Sequence, residues 1–245
     1  MNIMDIDELM LYFGDDFVIN DKIKIHQPTI NEIVKYGEQK YFSVVHTITA
    51  IPSDMKAQLN DMGLDYDKLE DFELFILLIS TLSKESTSIL FGDIDFTKLK
   101  CYRNPENGEI ILANKESGLK IDRLIYELMT NYLRKVHGLK KKIEHAANEK
   151  TRQILIDEDR KQIELNKNKP YKSFLLPLVS SVKVRMGYTK EYIRNMGIVE
   201  FMHDVNRLEI IHNADALLQG CYSGTIDMKK INQKQLNWMR ELDKD

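Results

Sequence analysis

Apolar positions are densest from Phe72 to Leu82, where FELFILLISTL is interrupted only by Glu73, Ser80 and Thr81. The run lacks a one-sided stripe, which predicts a helix buried on most of its circumference. Asp71 and Glu73 on one side and Lys84 and Glu85 on the other cut it well short of the ~20 apolar residues a membrane span needs. A helical core around residues 66–83 of a soluble protein, with no membrane partner, is the expectation.

Upstream, residues 1–13 mix acids with Leu and Met and allow a short helix or an arm. Asp16 to His26 alternates apolar and polar residues around Asn20-Asp21, which predicts a small β-hairpin over about 16–26 with Ile23 and Ile25 on one face. An irregular lead-in is the alternative there. Thr29 and Glu32 have capping-box spacing, so a helix should start at Ile30 and carry Ile33 and Val34 on its apolar face. Glu38 to Ile51 is readable as a helix or, through VVHTIT, as a buried strand. Asp54 to Met62, closed by Gly63, is a further helix, so residues 28–83 read as a helical block with an acidic outer surface.

Beyond Phe91-Gly92-Asp93 the pattern changes. Leu99 to Arg103 and Glu109 to Ala113, separated by NPENG with its Pro105 and Gly108, predict a second hairpin over about 98–113. Helical period returns from Asp122 to Val136, with Leu124, Ile125, Leu128, Met129, Tyr132 and Val136 on one stripe. Gly138 ends that helix. A basic stretch follows, with one exposed helix over about 149–167 stopped before Pro170, and FLLPLVSSVKV then returns to apolar material.

Thr189 is placed to cap a short helix ending near Met196. Ile198 to Leu218 carries Phe201, Val205, Leu208, Ile211 and Leu218 on one face, and Gly220 and Gly224 flank an expected tight turn at Cys221-Tyr222-Ser223. A last helix is expected from Gln233 to Leu242, presenting Leu236, Trp238 and Met239. The fold class is therefore mainly α with two small hairpins. Its expected divisions are an acidic helical domain at 1–137, a basic linker-like segment at 138–172 that is the best hinge candidate, and a helical subdomain at 173–245.

Composition sharpens this in one respect. The 245 residues are 43% hydrophobic, enough for a real core, and the net charge is only −3. That charge is unevenly spread: residues 1–133 carry −10, residues 134–185 carry +8 and residues 186–245 carry −1. Such a swing bears on contacts between segments or with a partner. Cys101 and Cys221 have no CxxC spacing, and no charged leader with an apolar run opens the chain, so free thiols in a reducing cytosol are expected.

Candidate chemistry is sparse. No GxxxxGK[ST], GxGxxG or HExxH occurs, and no catalytic residue, metal or cofactor is expected. His203-Asp204, with His137 or His145 and Asp215, is the one paper constellation for a metal-dependent hydrolase. Against it, Asp204 and Asp215 share a predicted helix with His203, and His212 lies on the opposite side of that helix. Lys140, Lys141 and Lys142, with Arg134 and Lys135 before them, suit phosphate contacts, so a nucleic-acid-binding accessory protein using 134–172 is an alternative. Few aromatics interleave with these lysines, which argues against stacking on single strands. The other reading is an intramolecular partner for the acidic half.

The stretches IHQPTINEIVKYGEQKYF, LLISTLSKESTSILFGDIDF and YSGTIDMKKINQKQLNWM resemble poorly characterised proteins of the tail-morphogenesis region of tailed phages and prophages of Gram-positive bacteria. TKEYIRNMGIVEFMHDVNRL is similar to the short-helix, long-helix unit of tail assembly chaperones. The resemblance implies a non-enzymatic adaptor or virion-associated factor that holds tape-measure or tail-tube subunits. The chain differs from those chaperones in its length and hairpins. Lys140, Lys141, Lys142, Trp238 and Met239 are the expected partner-binding residues, and Met-rich helix faces suit an apolar partner helix.

Overall fold

The computed structural model describes residues 7–104 and 108–242. The expected turn residue Pro105 lies outside the described residues. The chain is mainly helical, with two small antiparallel sheets.

After α1 (Glu8–Tyr12), β1 (Phe17–Val18) pairs with β2 (Lys24–Ile25) in the expected hairpin, and Ile23 and Ile25 are both fully buried. The capping box forms as read: the Thr29 hydroxyl accepts the Glu32 amide at 3.2 Å, and Glu32 accepts the Thr29 amide at 2.7 Å. It starts α2 (Ile30–Tyr36), and Gly37 then turns the chain with φ of 103° into α3 (Glu38–Thr49). The VVHTIT ambiguity resolves as helix, because Tyr41, Val44, Val45 and Ile48 fall at helical spacing on the buried face.

A 3₁₀ turn at Pro52–Asp54 leads into α4 (Lys56–Asp61). The apolar run forms α5 (Asp71–Leu78), extended by a 3₁₀ turn to Thr81 and followed at a 119° bend by α6 (Lys84–Phe91). The expectation of burial around most of α5 holds because the helix serves two cores at once. Phe72, Phe75, Ile79 and Leu82 enter the main core, whereas Leu74 and Leu78 face a second cluster with Ala57, Leu59, Tyr66 and Ile156. No single described helix is long and apolar enough to cross a membrane.

β3 (Lys100–Arg103) and β4 (Ile110–Asn114) make the second hairpin, in the register Lys100↔Ala113 to Arg103↔Ile110. The expectation of a simple hairpin is corrected by β5 (Leu119–Ile121), which adds a third strand on β4. Leu119 and Ile121 are buried and Lys120 is exposed, the alternation of a half-buried strand.

α7 (Arg123–His137) is capped by Asp122, which accepts the Ile125 amide at 2.9 Å. Its buried stripe is rotated from the expected one: Leu124 is exposed, while Tyr126 and Leu133 are buried. Tyr126 joins an aromatic group with Phe72 and Phe75, and Phe17 stacks on Tyr132 at 4.5 Å, so ring packing fixes the rotation.

α8 (Glu149–Asn166) is the expected exposed helix, and α9 (Leu175–Met186) accommodates Pro177 in its first turn, where the missing N–H has no helical partner to lose. Thr189 caps α10 (Lys190–Asn195) through the Tyr192 amide at 3.1 Å. The chain then crosses back to its beginning. The Ile30 amide donates to the Met196 carbonyl and the Ile198 amide to the Pro28 carbonyl, both at 3.0 Å, a single antiparallel bridge between Thr29 and Gly197. Ile193, Met196, Ile198 and Phe201 thereby join the same core as Leu11, Ile25 and Ile33.

α11 (Ile198–Tyr222) runs into the expected turn at residues 221–223 and ends inside it, at Tyr222. Gly220 is helical, and its missing side chain makes room for Ile226, which lies within 2.5 Å of where a Cβ would stand; Gly224, with φ of 73°, makes the reversal. The helix expected from Gln233 to Leu242 is corrected to a 3₁₀ turn at Gln233–Leu236 and non-helical chain to Leu242. Asn232 and Asn237 each accept an amide two residues on, at 3.1 and 3.0 Å, and this local bonding competes with helix formation.

Candidate interaction surface

Several charges of the basic stretch find opposite partners within the chain. Lys56 is buried and donates to Glu144 at 2.8 Å and to the Ser53 carbonyl at 2.6 Å, and the Glu144 amide donates to the Ser53 hydroxyl. Hydrogen bonds from Lys142 and Lys56 hold the Glu144 carboxyl down at about 2. Lys141 reaches Asp71 at 2.7 Å, His145 pairs with Asp67 at 3.0 Å and Arg152 with Asp65 at 2.6 Å, and Arg160 pairs with Asp61. Asp159 accepts the Ala57 amide at 2.9 Å. A polar seam therefore fastens residues 141–160 to α4 and its flanks, with Ile156 as the one fully buried side chain of α8.

Of the expected partner-binding lysines, Lys141 and Lys142 are thus engaged with Asp71 and Glu144, and Lys140 is exposed. Past the seam every residue from Lys161 to Pro170 is exposed.

α9 is set in rotation from both sides. Glu38 of α3 accepts the Leu175 amide at 2.8 Å, and hydrogen bonds from Ser173, Leu175 and Tyr171 lower its carboxyl pKa against the opposing effect of burial. Leu175 and Val182 are buried against the core, seven residues apart on one face. Leu176, Ser180 and Val184 consequently point outward at i, i+4 and i+8, with Leu176 67% and Val184 80% exposed. Phe174 is half exposed and packs edge-on against Phe42 at 5.4 Å.

The chain after α11 folds back along it as a strap. Arg207 donates to the carbonyls of Trp238 at 3.0 Å and Arg240 at 2.6 Å. The 3₁₀ turns of the strap hold no buried residue, and Trp238 and Met239 are exposed by 50% and 68%. Among the described residues of 166–242, exposed large apolar side chains outnumber fully buried ones, the reverse of residues 7–165.

Residues 166–243 match the family model of the YomV second domain. The match covers less than half of the chain and points to a YomV-like, phage- or prophage-region family. No curated protein and no solved structure matches the chain. The YomV-like segment begins at the end of α8 and contains α9, α10, α11 and the strap, so the outward face of α9 and the Trp238–Met239 corner both belong to it.

The residues named for a metal site are dispersed. His137 Nδ1 meets the Leu133 carbonyl at 2.7 Å and must donate to it, so Nε2 accepts from the Tyr41 hydroxyl at 2.7 Å. Burial pushes this imidazole down to about 4 and raises the Tyr41 phenol. His145 pairs with Asp67, and Asp215 and His212 are exposed on α11. His203 packs edge-on to Tyr12 in a groove of about 660 Å³ between α1, α7 and α11. Asp204 lies near the hydroxyls of Tyr12 and Tyr188, at 3.4 and 3.5 Å. Among the described residues, no three His, Cys, Asp or Glu side chains stand in a metal-holding group. Cys101 and Cys221 are free.

Sequence reasoning named the Trp238–Met239 corner and missed the α9 face. The signal was there: between Glu164 and Glu191 the chain has six Lys or Arg and no acid, and Leu176, Ser180 and Val184 have helical spacing.

Proposed function

We propose that this is a non-enzymatic phage or prophage protein that works by protein–protein contact, holding tail components such as tape-measure or tail-tube subunits during assembly in the cytoplasm of the bacterial host. The observation that carries the reading is the excess of exposed over buried apolar side chains in residues 166–242. Surfaces of monomeric soluble proteins seldom gather large apolar residues without a use for them, and partner contact is the common one. Two further findings support it. The YomV-like match falls on that same segment, and the seam at residues 141–160 pairs Lys141, Arg152 and Arg160 with the chain's own acids, which takes these three from any phosphate-binding groove. Trp238 and Met239 offer an aromatic and a sulfur side chain of the kinds enriched at contact hot spots and adaptable interfaces.

Affinity purification of the tagged chain from phage-producing cells tests this. Tail proteins are expected as stoichiometric companions at moderate salt. Recovery of polynucleotide instead, or turnover of a substrate by the purified chain, would overturn it.

A further inference from the structure

The exposed face of α9 has properties beyond exposure. Single apolar residues on a surface are ordinary, but here two bulky aliphatics, Leu176 and Val184, stand two helical turns apart in line with Ser180. The small serine between them keeps the row low at its middle, and rows at i, i+4 and i+8 are the ridges by which crossing helices pack. The face is also held rigid. Leu175 and Val182 anchor the opposite side in the core, and Glu38 fixes the first turn, so presenting Leu176 and Val184 requires no ordering on binding.

Charge selects the partner. Lys183 and Arg185 flank the stripe on its two sides, and Lys167, Lys169, Lys172 and Lys190 lie on the chain entering and leaving the helix. None of these six forms an ion pair among the described residues, whereas Lys141, Arg152 and Arg160 of the preceding seam all do. The stripe is narrow. A helix lying in a lipid interface needs a broad apolar face, and α9 interrupts its own with Ser180 and Ser181.

We propose that the Leu176–Ser180–Val184 face of α9, between Lys183 and Arg185, is the seat of an amphipathic partner helix whose flanks are acidic. The proposal rests on the protein-contact reading above and names the chemistry of its partner. Hydrophobic anchors at i, i+3, i+4 and i+7 of the incoming helix would lie along the stripe, and its Asp and Glu residues would meet the unpaired cations on either side.

The test is a display selection of helical 18-residue peptides, with randomised apolar and flanking positions, on the full-length chain. Enriched peptides should carry acidic flanks, and their affinity should fall at least tenfold on Val184→Lys or Leu176→Lys. Both substitutions are at exposed sites, and an unchanged thermal transition checks that each variant folds. A Lys183→Glu, Arg185→Glu variant should shift the enriched flanks toward basic residues. Enrichment of neutral or basic flanks on the unaltered chain, no enrichment, or binding indifferent to the α9 variants would each overturn the proposal. So would equal retention on phosphatidylglycerol vesicles that is lost with the same substitutions. If the Val184→Lys chain still co-purifies tail proteins, α9 is not the seat and the functional reading stands. If the unaltered chain selects acidic helices but recovers no tail protein, the reverse holds.

Discussion

Residues 7–137 and residues 166–242 use the same residue types to opposite ends. In the first region, α5 packs into the common core with α3 and α7, and its aromatic side chains interlock with Phe96 and Tyr126. In the second, α9 and α11 each turn one face to that core and leave much of the rest to solvent or to a strap with no buried residue in its 3₁₀ turns. The difference teaches where each kind of constraint lies. Packing fixes the first region, and the second borrows that packing for its own order while keeping apolar surface free.

The largest effect is expected where the two regions share a residue. Phe201 of α11 is fully buried in the common core, so Phe201→Ala should cost about 3–5 kcal/mol by urea unfolding. It should lower one cooperative transition for the whole chain. Separate transitions, with the first region unaffected, would show that the second does not depend on it.

Next comes His137, whose folded-state pKa of about 4 lies below its ordinary 6.5. The unfolded chain takes up the proton first as the solution is acidified. This contribution is therefore complete above about pH 6.5, declines as pH falls toward 4 and levels off below, for a total on the order of 3 kcal/mol. His137→Gln should flatten that part of the stability–pH curve, and an unaltered slope would refute the assignment.

A smaller effect is expected at the seam. The Glu144 carboxyl, lowered from 4.5 to about 2, contributes above about pH 4.5 and loses its contribution as pH falls toward 2. Glu144→Gln should cost about 1 kcal/mol globally. It should raise amide exchange in α8 with α5 unchanged, since Ile156 is the lone fully buried anchor of that helix. Equal acceleration in both helices would deny the seam its local role. At the bottom of the scale, Val184→Ala on the free face should change stability by no more than about 0.5 kcal/mol. A larger loss would mean that the face is already covered within the chain.

Much of the first region was legible because its signals are local. The Thr29–Glu32 capping box, the alternation into Ile23 and Ile25 and the uninterrupted apolar run of α5 each declare an element within a few residues. The exposed helix at 149–166 was legible too, from its run of charged residues and the proline that follows. What escaped depends on distant partners. The rotation of α7 is decided by rings from two other elements, and strand β5 has meaning only beside β4. Gly220 reads as a turn until Ile226 is seen resting on it. The α9 face was hidden for a related reason: FLLPLVSSVKV is apolar nearly throughout, and only the buried positions of Leu175 and Val182 show which residues remain outside.

The pairing of Thr29 with Gly197 also bears on how the molecule is made. On a ribosome the edge at Pro28 and Ile30 emerges first and must stay open while roughly 170 further residues are synthesised, because its mate lies that far along the chain. Closure is thus a late, long-distance event, and nascent chains halted before Gly197 should be the ones that host proteases and holdase chaperones find first.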